Sequence, residues 1–460
     1  MATPPETSSN FKVAVIGGGL VGSLTAVYLA RRGWNVEVYE LRKDLRNSPH
    51  YSGRSINLAV SRRGLAALDA VGLEAAIKHT IIPMKGRMVH TLDGKQNSQL
   101  YGVFGEHINS IDRKVINEYV LTEAEKYPNV RLFFEHDVRA IDFESNLVEF
   151  EAKDRQRVQI KADLIIGCDG AFSKVRGQMM RKTLMNYSQE YIDTHYVELH
   201  IPPTPSGDYA LDPNHLHIWP RKSFMLIALP NPDKSFTSTL FMPLESFNVI
   251  TTPETLVDFF RTTFPDALPL LGRDGLVKSF FENPKGALIT VKCQPYNYQH
   301  KALILGDAAH AMVPFYGQGM NCGFEDILLL NEILDRQIGS EKNPTQDQML
   351  HCLDEYSRAR HPDATAICDL ALYNYQEMRS SVLEWSYLLR KAVEGWIYRR
   401  LPFLGIVPLY TMVSFTRIPY SEAVRRWKRQ THWFNTIGST TKRLGISAVS
   451  WVLGRGIQTA

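Results

Sequence analysis

Three glycines near the start of the chain have the spacing of a dinucleotide-binding turn. Gly17, Gly19 and Gly22 form the pattern G-x-G-x-x-G. In that pattern the first glycine permits a tight turn, the second lets a pyrophosphate approach the backbone, and the third lets a helix pack against the preceding strand. The helix that opens at Leu20 would point its unpaired N–H groups and its positive dipole end at the phosphates. These residues therefore predict a dinucleotide site.

The elements needed to hold this turn are present on both sides of it. Residues 12–16 are a β-branched run typical of a buried parallel strand, and residues 35–40 alternate polar and apolar like a second strand. Gly33 ends the helix between them. The second strand finishes with Glu40, whose carboxylate would accept both ribose hydroxyls and repel a 2′-phosphate, so FAD or NAD is favoured over NADP. The alternative, an accidental glycine-rich turn, requires none of these flanking elements.

Two further motifs follow predicted buried strands. "CDGAFSKVR" (168–176) comes directly after a strand at 164–166, and "LGDAAHAMVPFYGQGMN" (305–321) begins at the end of a strand at 302–305. Ligands in open α/β sheets gather at the carboxyl ends of the strands. Both motifs are therefore expected at the same edge of the sheet as the glycine turn.

The rest of the chain divides into regions that differ in their pattern of apolar and turn-forming residues. A helix is predicted from Asp112 to the residues before Pro128, followed by strands at 130–134 and 147–151. Residues 186–285 hold short apolar strands separated by Pro, Asn and Asp turns, which predicts a β-rich insertion. A helix is expected over 323–335, and after the polar linker "GSEKNPTQD" the last third reads as mainly helical.

Composition limits the class of protein. The 460 residues carry a net charge of +4, and seven of the Lys and Arg residues lie after position 420 beside one acidic residue. The five cysteines have no paired C-x-x-C spacing, so we expect neither a zinc site nor a disulfide framework. The N-terminus has no apolar or arginine-rich leader, so no signal or transit peptide is expected.

The basic tail over residues 431–460 leaves two interpretations open. Uncharged stretches at 401–416 and 444–454 are shorter than the roughly 20 residues of a spanning helix. With Trp427, Trp433 and Trp451 among the arginines, the segment is typical of one that lies on an anionic membrane surface. The other interpretation is an amphipathic helical cap on the core.

Taken in order, the three motifs resemble the single-component flavin-dependent aromatic hydroxylases with the p-hydroxybenzoate hydroxylase fold. The resemblance implies an α/β protein in which a Rossmann-like FAD-binding domain is interleaved with a β-sheet substrate domain and followed by a C-terminal helical region. NADPH docks in a groove in that family, which agrees with the lack of a second G-x-G-x-x-G here. The expected units are 11–185 and 291–338 for FAD, with 87–104 reaching the substrate pocket, 186–290 for the β-rich substrate domain, 348–430 for a helical cap and 431–460 for the tail.

Longer segments, among them "GRSINLAVSRRG", "YNYQEMR" and "VPLYTMVSFTR", resemble the members of that family that hydroxylate L-kynurenine at ring position 3. The similarity runs from about residue 12 to about residue 429. It implies that the amino-acid end of the substrate is held by Arg87, Tyr101, Asn374 and Tyr410, where a guanidinium offers two donors to a carboxylate. Glu377 would fix the substrate amine or Asn374, or else form a surface ion pair with Arg379 or Lys391.

The resemblance also assigns the ring pocket and the flavin contacts. Phe315 is expected to wall the ring pocket with Gln318 nearby, although Tyr316 stands where the family often has Phe. Asp307 would meet the ribityl chain and phosphates, and Met320 with Asn321 would open a helix that faces the flavin pyrimidine. The remaining cofactor contacts implied are at Arg42, Ala59, Arg113, Val138 and Asp169.

The expected chemistry places the demanding step on the cofactor. NADPH reduces FAD, O₂ adds to give a flavin C4a-hydroperoxide, and its distal oxygen attacks the carbon ortho to the aniline amine. Because that amine activates the ring, we assign no general base, and His310 is interpreted as structural. Two other classes stay open: a flavin epoxidase or reductase acting on a lipid, and a non-catalytic FAD-binding interaction module.

The resemblance to eukaryotic members also implies a location, the cytosolic face of the mitochondrial outer membrane; otherwise the chain would be cytoplasmic. We expect no metal and no nucleic-acid partner.

Overall fold

The computed structural model describes residues 11–47, 57–379, 385–433 and 436. The strands, in chain order, are β1 (Lys12–Ile16), β2 (Asn35–Glu40), β3 (Leu58–Val60), β4 (Ile82–Met84), β5 (Gly86–His90), β6 (Gln96–Leu100), β7 (Ile108–Ile111), β8 (Val130–Phe134), β9 (His136–Asp142), β10 (Leu147–Ala152), β11 (Arg157–Lys161), β12 (Leu164–Gly167), β13 (Asn186–Ile201), β14 (His215–Arg221), β15 (Phe224–Pro230), β16 (Phe236–Pro243), β17 (Gly286–Gln294), β18 (Asn297–Tyr298) and β19 (Ala302–Ile304).

The helices alternate with the strands in the first part of the chain and dominate the last part. They are α1 (Leu20–Arg31), α2 (Arg62–Asp69), α3 (Glu74–Ile77), α4 (Arg113–Glu125), α5 (Lys174–Met179), α6 (Leu244–Val249), α7 (Pro253–Thr263), α8 (Leu268–Leu271), α9 (Arg273–Glu282), α10 (Asp307–His310), α11 (Gly319–Ile338), α12 (Gln346–Arg379), α13 (Trp385–Arg400) and α14 (Leu409–Ser414). Short 3₁₀ turns lie at Leu45–Asn47, Pro314–Tyr316 and Pro402–Leu404, and a final helix runs over 420–433.

A six-stranded sheet carries the glycine turn. Its strand order is β18-β19-β12-β1-β2-β8, and all neighbours are parallel except β18 and β19. Both α1 and the three-stranded sheet β11-β10-β9 pack on it, the latter through Phe150, which stacks on Tyr39 of β2 at 4.1 Å. β1 and β12 are therefore buried along nearly their whole length. The predicted bounds of β1 and β2 are confirmed, and Asp112 caps α4 by accepting hydrogen bonds from the Lys114 and Val115 N–H groups.

A seven-stranded sheet forms the second layer, in the order β17-β13-β16-β15-β14-β5-β6. Most of it comes from residues 186–294, but β5 and β6 come from far earlier in the chain. β5 pairs with β14 in parallel, which sets Arg87 beside Leu216. The early segment therefore supplies two strands of this sheet as well as pocket residues.

The region predicted to be β-rich contains a helical block. Residues 244–282 form α6 to α9 between β16 and β17, and these helices pack on one face of the larger sheet through Phe247, Leu256, Phe260 and Phe280. The opposite face packs on α12 and the C-terminal segment through residues such as Ile218, Phe241 and Met412. The strands predicted for 186–285 are present as β13 to β16, but the prediction did not include these helices, because apolar runs as short as those in α6 and α8 do not distinguish a helix from a strand.

Helix α11 starts at Gly319, four residues before the predicted start, and contacts α1, α2 and α12. The uncharged stretch 401–416 forms the 3₁₀ turn Pro402–Leu404 and α14. Within the described ranges, no helix is long and apolar enough to cross a bilayer. The tail prediction falls mostly on residues outside the described ones, since only 431–433 and 436 of it are described.

A buried hydrogen-bonded chain ties the larger sheet to α7 and its following loop. His217 Nε2 donates to the Asp212 carbonyl (2.8 Å), so its Nδ1 accepts from His90 Nε2 (2.9 Å), and His90 Nδ1 meets Asp266 (2.8 Å). Both imidazoles are fully buried. Burial lowers the pKa of His217 to about 4, so this residue stays neutral far below the usual range of histidine.

This neutral histidine predicts acid sensitivity. Between the unfolded pKa of about 6.5 and the folded pKa of about 4, the unfolded chain binds a proton that the folded chain does not, so stability is lost as the pH falls. H217Q removes that titration. As the pH falls from 7 to 4.5, the unfolding free energy of the wild type should decrease by about 2 kcal/mol more than that of H217Q, measured by calorimetry. H200Q, which changes an exposed histidine, serves as control. The prediction is contradicted if the difference in unfolding free energy between wild type and H217Q stays constant with pH.

Candidate active site

A cavity of about 260 Å³ lies between the two large sheets. At one end it is lined by Gly19 and Leu20, and at the other by Arg87, Tyr101 and Tyr410. The strands β1, β12 and β19 all end at this cavity, because their parallel order places their carboxyl ends at one edge. The three motifs therefore meet where the sequence predicted.

The glycine turn has two tight glycines and one open one. Gly17 has φ +104°, and a Cβ on Gly22 would lie 1.8 Å from the Gly17 carbonyl oxygen. By contrast, a Cβ on Gly19 would meet nothing within 4 Å. Gly19 is the N-cap residue of α1 and has no side chain that could accept hydrogen bonds from the first N–H groups of the helix. These N–H groups therefore face the cavity. This end of the cavity fits a pyrophosphate held by backbone.

Glu40 is already tied to the turn. Its two carboxylate oxygens accept from the Gly18 N–H (2.8 Å) and the Arg42 N–H (2.9 Å). The Arg42 guanidinium also pairs with this carboxylate, with Nη1 lying 3.6 Å from Oε1, although the arginine side chain is 73% exposed. These hydrogen bonds fix the carboxylate at the end of β2, while each oxygen keeps further acceptor capacity.

A second helix terminus points at the same cavity. α11 is capped by Gln318 without a side-chain hydrogen bond, and Gly319 and Met320 line the cavity. Asn321 anchors this terminus, since its amide donates to the carbonyls of Ala59 (2.7 Å) and Gly317 (2.8 Å). The arrangement presents N–H groups and a positive dipole end to any ring that fills the middle of the cavity.

Other predicted cofactor residues are spread around this space. Asp307, Ala59 and Arg113 line the cavity, and the surrounding protein raises the pKa of the Asp307 carboxyl, mainly by desolvation and against the attraction of Arg113. Asp169 is used as a cap, because its oxygens accept from Ser173 Oγ (2.6 Å) and the Lys174 N–H (2.7 Å). Val138 is buried on β9 and does not line the cavity.

The far end of the cavity is cationic and aromatic. Arg87 is 5% exposed, and its guanidinium lies 5.7 Å from the Tyr101 ring centre and 5.5 Å from that of Tyr410. The two phenol rings stack on each other at 4.9 Å. Burial raises the pKa of both tyrosines, so they stay neutral donors at physiological pH. Tyr101 Oη is buried and has no hydrogen-bond partner among the described residues.

Glu377 has a partner that the sequence did not suggest. Glu377 Oε1 lies 3.8 Å from Arg87 Nη1, whereas Lys391 forms no ion pair with it within 4.0 Å. The side chain of Arg379 lies outside the described part of the chain. Arg87 and Glu377 thus place opposite charges side by side at the end of the cavity.

Asn374 and Phe315 form one wall. Asn374 is 3% exposed and donates through Nδ2 to the Phe315 carbonyl (2.7 Å), which fixes the turn that carries the ring. The Phe315 ring packs on Phe241 at 5.0 Å and on Tyr375 at 4.4 Å. Tyr316 lines the cavity and stacks on Tyr410 at 5.7 Å.

Gln318 is turned away from the cavity. Its Oε1 accepts a hydrogen bond from Tyr420 Oη (3.0 Å), and the side chain does not belong to the cavity lining. The sequence had placed Gln318 near the substrate ring. The structure instead uses it to join the start of α11 to the final helix.

A buried network of charges lies behind this wall. Asp326 accepts from the Gly306 N–H (2.8 Å), His310 Nε2 (2.7 Å) and Arg360 Nε (2.6 Å). Glu325 binds Arg360 (3.0 Å) and Arg63 (2.7 Å). Burial disfavours a charged imidazole, but the Asp326 carboxylate outweighs it and holds the pKa of His310 well above its ordinary range.

His310, Cys322 and Asp326 are close enough in space to share a metal ion. Arg360 already occupies that space, however, since it donates to Asp326 Oδ1 (2.6 Å) and to Cys322 Sγ (3.1 Å). A guanidinium in this position opposes a metal cation. The cluster therefore reads as structural.

Sequence reasoning missed several residues of this region. Arg63, Glu325 and Arg360 lie on three different helices, and only the fold shows that their charges meet. Met225, Ile227 and Leu229 line the cavity. They are alternate residues of the continuous apolar run "FMLIALP", and this spacing along a strand was the available signal. Lys391 lines a second, adjoining cavity, and nothing in its local sequence marks it.

Comparison with known proteins places the chain among flavoproteins. A family model described as an FAD binding domain matches residues 10–371. The kynurenine 3-monooxygenase of Drosophila willistoni is 47% identical over 448 residues, which cover 96% of each chain. That of Sus scrofa is 46% identical over 424 residues, which cover 92% of this chain and 88% of the relative.

Solved structures share the fold. p-Nitrophenol 4-monooxygenase from Pseudomonas putida DLL-E4 superimposes with a TM-score of 0.65 at 19% identity, covering 86% of this chain and 96% of that chain. At this identity the likeness concerns the fold alone. The interleaved sheets described above are thus part of a fold that the two proteins share.

The open space at Gly19 gives a direct test of the dinucleotide site. G19V adds a side chain whose Cβ meets no protein atom within 4 Å and suits the extended backbone there (φ −73°). The variant should therefore keep the Tm of the FAD-free protein but lower FAD affinity at least about tenfold, measured by titration of flavin fluorescence. G22A, which would clash with the Gly17 carbonyl, should instead lose the fold, and G275A in α9 should change neither property. Unaltered FAD affinity in G19V contradicts the placement.

Proposed function

This chain belongs to the kynurenine 3-monooxygenase family, and we propose that it hydroxylates L-kynurenine at ring position 3 with FAD, NADPH and O₂. The product is 3-hydroxykynurenine, which places the reaction in tryptophan degradation and de novo NAD synthesis. The observation that carries this proposal is the buried Arg87 at the end of a cavity that begins at the dinucleotide turn. Arg87 and Glu377, 3.8 Å apart, present opposite charges at this end, and the α-carboxylate and α-ammonium of an amino acid complement them.

The chain's own residues orient the substrate. Arg87 binds the α-carboxylate through its paired N–H donors, and the adjoining Glu377 accepts from the α-ammonium. The Tyr101 hydroxyl, buried and unpaired among the described residues, donates to the carboxylate or the side-chain ketone. Tyr410 and Asn374 complete this end of the pocket.

The aromatic wall keeps the reacting ring dry and in place. Phe315 and Tyr316 pack against the ring from the loop before α11, and Phe241 closes the pocket from the larger sheet. FAD, once reduced by NADPH, supplies the activated oxygen. Because the substrate's aniline nitrogen already donates electrons to the ring, we assign no general base to the chain. Its contribution is orientation and the exclusion of water.

For the cofactor we propose a cradle made mostly of backbone. The N-terminus of α1 takes the pyrophosphate, Glu40 takes a ribose, and the N-terminus of α11 faces the flavin pyrimidine. Asp307 lies between them, where its position suits the ribityl chain. The further residues proposed here are Gly17, Leu20, Gly22, Ala59, Arg113, Asp169, Met320 and Asn321. Arg42 and Val138 stay predictions from the resemblance, since neither lines the cavity.

The alternatives fit less well. A lipid substrate of an epoxidase or reductase would bring no zwitterionic group to the Arg87–Glu377 pair, and covering these charges with an apolar chain would remove their water without replacing its hydrogen bonds. A non-catalytic FAD-binding module would not require a charged pocket joined to the flavin cavity.

Flavin reduction measured by stopped flow tests the function. NADPH should reduce the bound FAD faster when L-kynurenine is present, and product analysis should show 3-hydroxykynurenine. R87A should raise the Kd for L-kynurenine at least about a hundredfold, because it removes a charge-assisted double hydrogen bond, while FAD stays bound. R261A, which changes an arginine with a 63% exposed side chain, is the matched control.

Two results would refute this proposal. If R87A binds L-kynurenine as the wild type does, the carboxylate clamp is wrong. If a lipid accelerates reduction in place of kynurenine, or if NADPH never reduces the flavin, the corresponding alternative replaces the hydroxylase.

We also propose that the C-terminal region meets the cytosolic face of the mitochondrial outer membrane. Exposed apolar side chains near the end of α13 support this: Trp396 is 59% exposed and Phe403 is 80% exposed. Arg399 and Arg400 lie between them in sequence. Aromatic rings flanked by arginines are typical of a surface that contacts anionic lipid headgroups.

Fractionation of cells tests the membrane proposal. The full-length chain should sediment with mitochondrial outer membranes, and a chain that ends at residue 429 should move largely to the soluble fraction. W396S/F403S should weaken sedimentation without lowering Tm, since both side chains are exposed. A full-length chain that stays wholly soluble would leave the tail as a cap on the core.

A further inference from the structure

A second cavity, of about 120 Å³, adjoins the first behind Arg87. Arg87, Tyr101, Tyr316 and Tyr410 line both cavities and so form the wall between them. A ligand whose ring fills the first cavity and whose charged end reaches Arg87 therefore extends to the second. The amino-acid end of the proposed substrate belongs at this boundary.

Lys391 of α13 lines the second cavity. Its side chain is partly buried, and its ammonium has no carboxylate oxygen within 4.0 Å among the described residues. Glu377 and Glu394 line the same cavity, but neither carboxylate lies within 4.0 Å of this ammonium, so an anion that enters the cavity beside Arg87 can bind it directly. The ionisable groups that line this cavity with Lys391 are Arg87 of β5, Tyr101 after β6, Tyr316 before α11, Tyr373 and Glu377 of α12, Glu394 of α13 and Tyr410 of α14.

We propose that Lys391 is a further substrate-binding residue, which holds the α-carboxylate together with Arg87. This inference rests on the proposed function, because it is the carboxylate of an amino-acid substrate that the two cations would share. Glu377, 3.8 Å from Arg87, then accepts from the α-ammonium. Arg87 and Lys391 thus face the substrate's α-carboxylate, and the Glu377 carboxylate faces its α-ammonium.

If Lys391 binds the substrate carboxylate, substrate binding should depend on the protonation of its amine. Burial and the nearby Arg87 lower the pKa of Lys391 to about 8, against the opposing effect of Glu377. Above that pH the amine becomes neutral, and the substrate carboxylate loses one of its two cations. Arginine at the same position stays charged over the whole range.

The test compares K391M and K391R with the wild type, as full-length FAD-loaded enzymes, from pH 6.5 to 9.5. At pH 7, K391M should raise the KM for L-kynurenine about tenfold with little change in kcat. The ratio of wild-type KM to K391R KM should rise as the pH passes about 8, and this ratio cancels the titration of the substrate's own amine. K153M, at an exposed ion pair of the small β9–β10–β11 sheet, is the control.

A second substrate separates recognition from structure. L-kynurenine amide lacks the carboxylate charge, so K391M and wild type should bind it equally, as followed by the flavin absorbance change. Equal loss of affinity for the acid and the amide, or a wild-type KM in K391M at every pH, overturns the role of Lys391. A wild type that fails to hydroxylate L-kynurenine refutes the proposed function, and this inference with it, whereas turnover with an unaltered K391M refutes the inference alone.

Discussion

The structure depends on a set of charges that neutralise one another out of water. Arg63, Glu325, Asp326 and Arg360 are all buried, and each makes an ion pair with another member of the set. Removing one member would leave a buried charge without its partner, which is strongly destabilising. The helices α2, α11 and α12 therefore hold one relative position, and the loop from Gly306 to Gln318 between them is fixed with them. The same network reaches the C-terminal segment, because Arg63 also donates to the Val413 carbonyl (2.9 Å) and stacks on Tyr420 at 3.8 Å.

The two halves of the cavity use different parts of the chain's chemistry. Backbone N–H groups at the starts of α1 and α11 face the cofactor end, where Gly19 leaves room for close approach. Side chains of high specificity face the other end, where Arg87 and Glu377 come from strands and helices far apart in sequence. Backbone binding suits a cofactor shared by many enzymes, since it requires spacing more than residue type. Side-chain binding suits a substrate that must be told apart from its relatives.

The sequence predicted the local elements and the motif positions well. β1, α1 and β2 agree because a β-branched run, three glycines and an alternating strand each specify their own conformation. Among the missed helices over 244–282, α6 and α8 are too short to show a helical period, whereas Leu256, Val257 and Phe260 of α7 do have helical spacing and were the available signal. The pairing of Arg87 with Glu377 joins residues nearly three hundred positions apart, and no local pattern records it. Gln318 faces Tyr420 for a similar reason, since the final helix that attracts it is specified about a hundred residues later.

The parallel pairing of β5 with β14 has a consequence for how the protein is made. Arg87 leaves the ribosome early, its neighbouring strand follows more than a hundred residues later, and Tyr410 is among the last parts of the pocket to be synthesised. The walls of this pocket extend at least from Arg87 to Tyr410, so no short fragment of the chain contains all of them. A nascent chain can complete its glycine turn long before it can enclose a substrate. A truncated translation product can therefore contain the nucleotide-binding turn and still lack a substrate pocket.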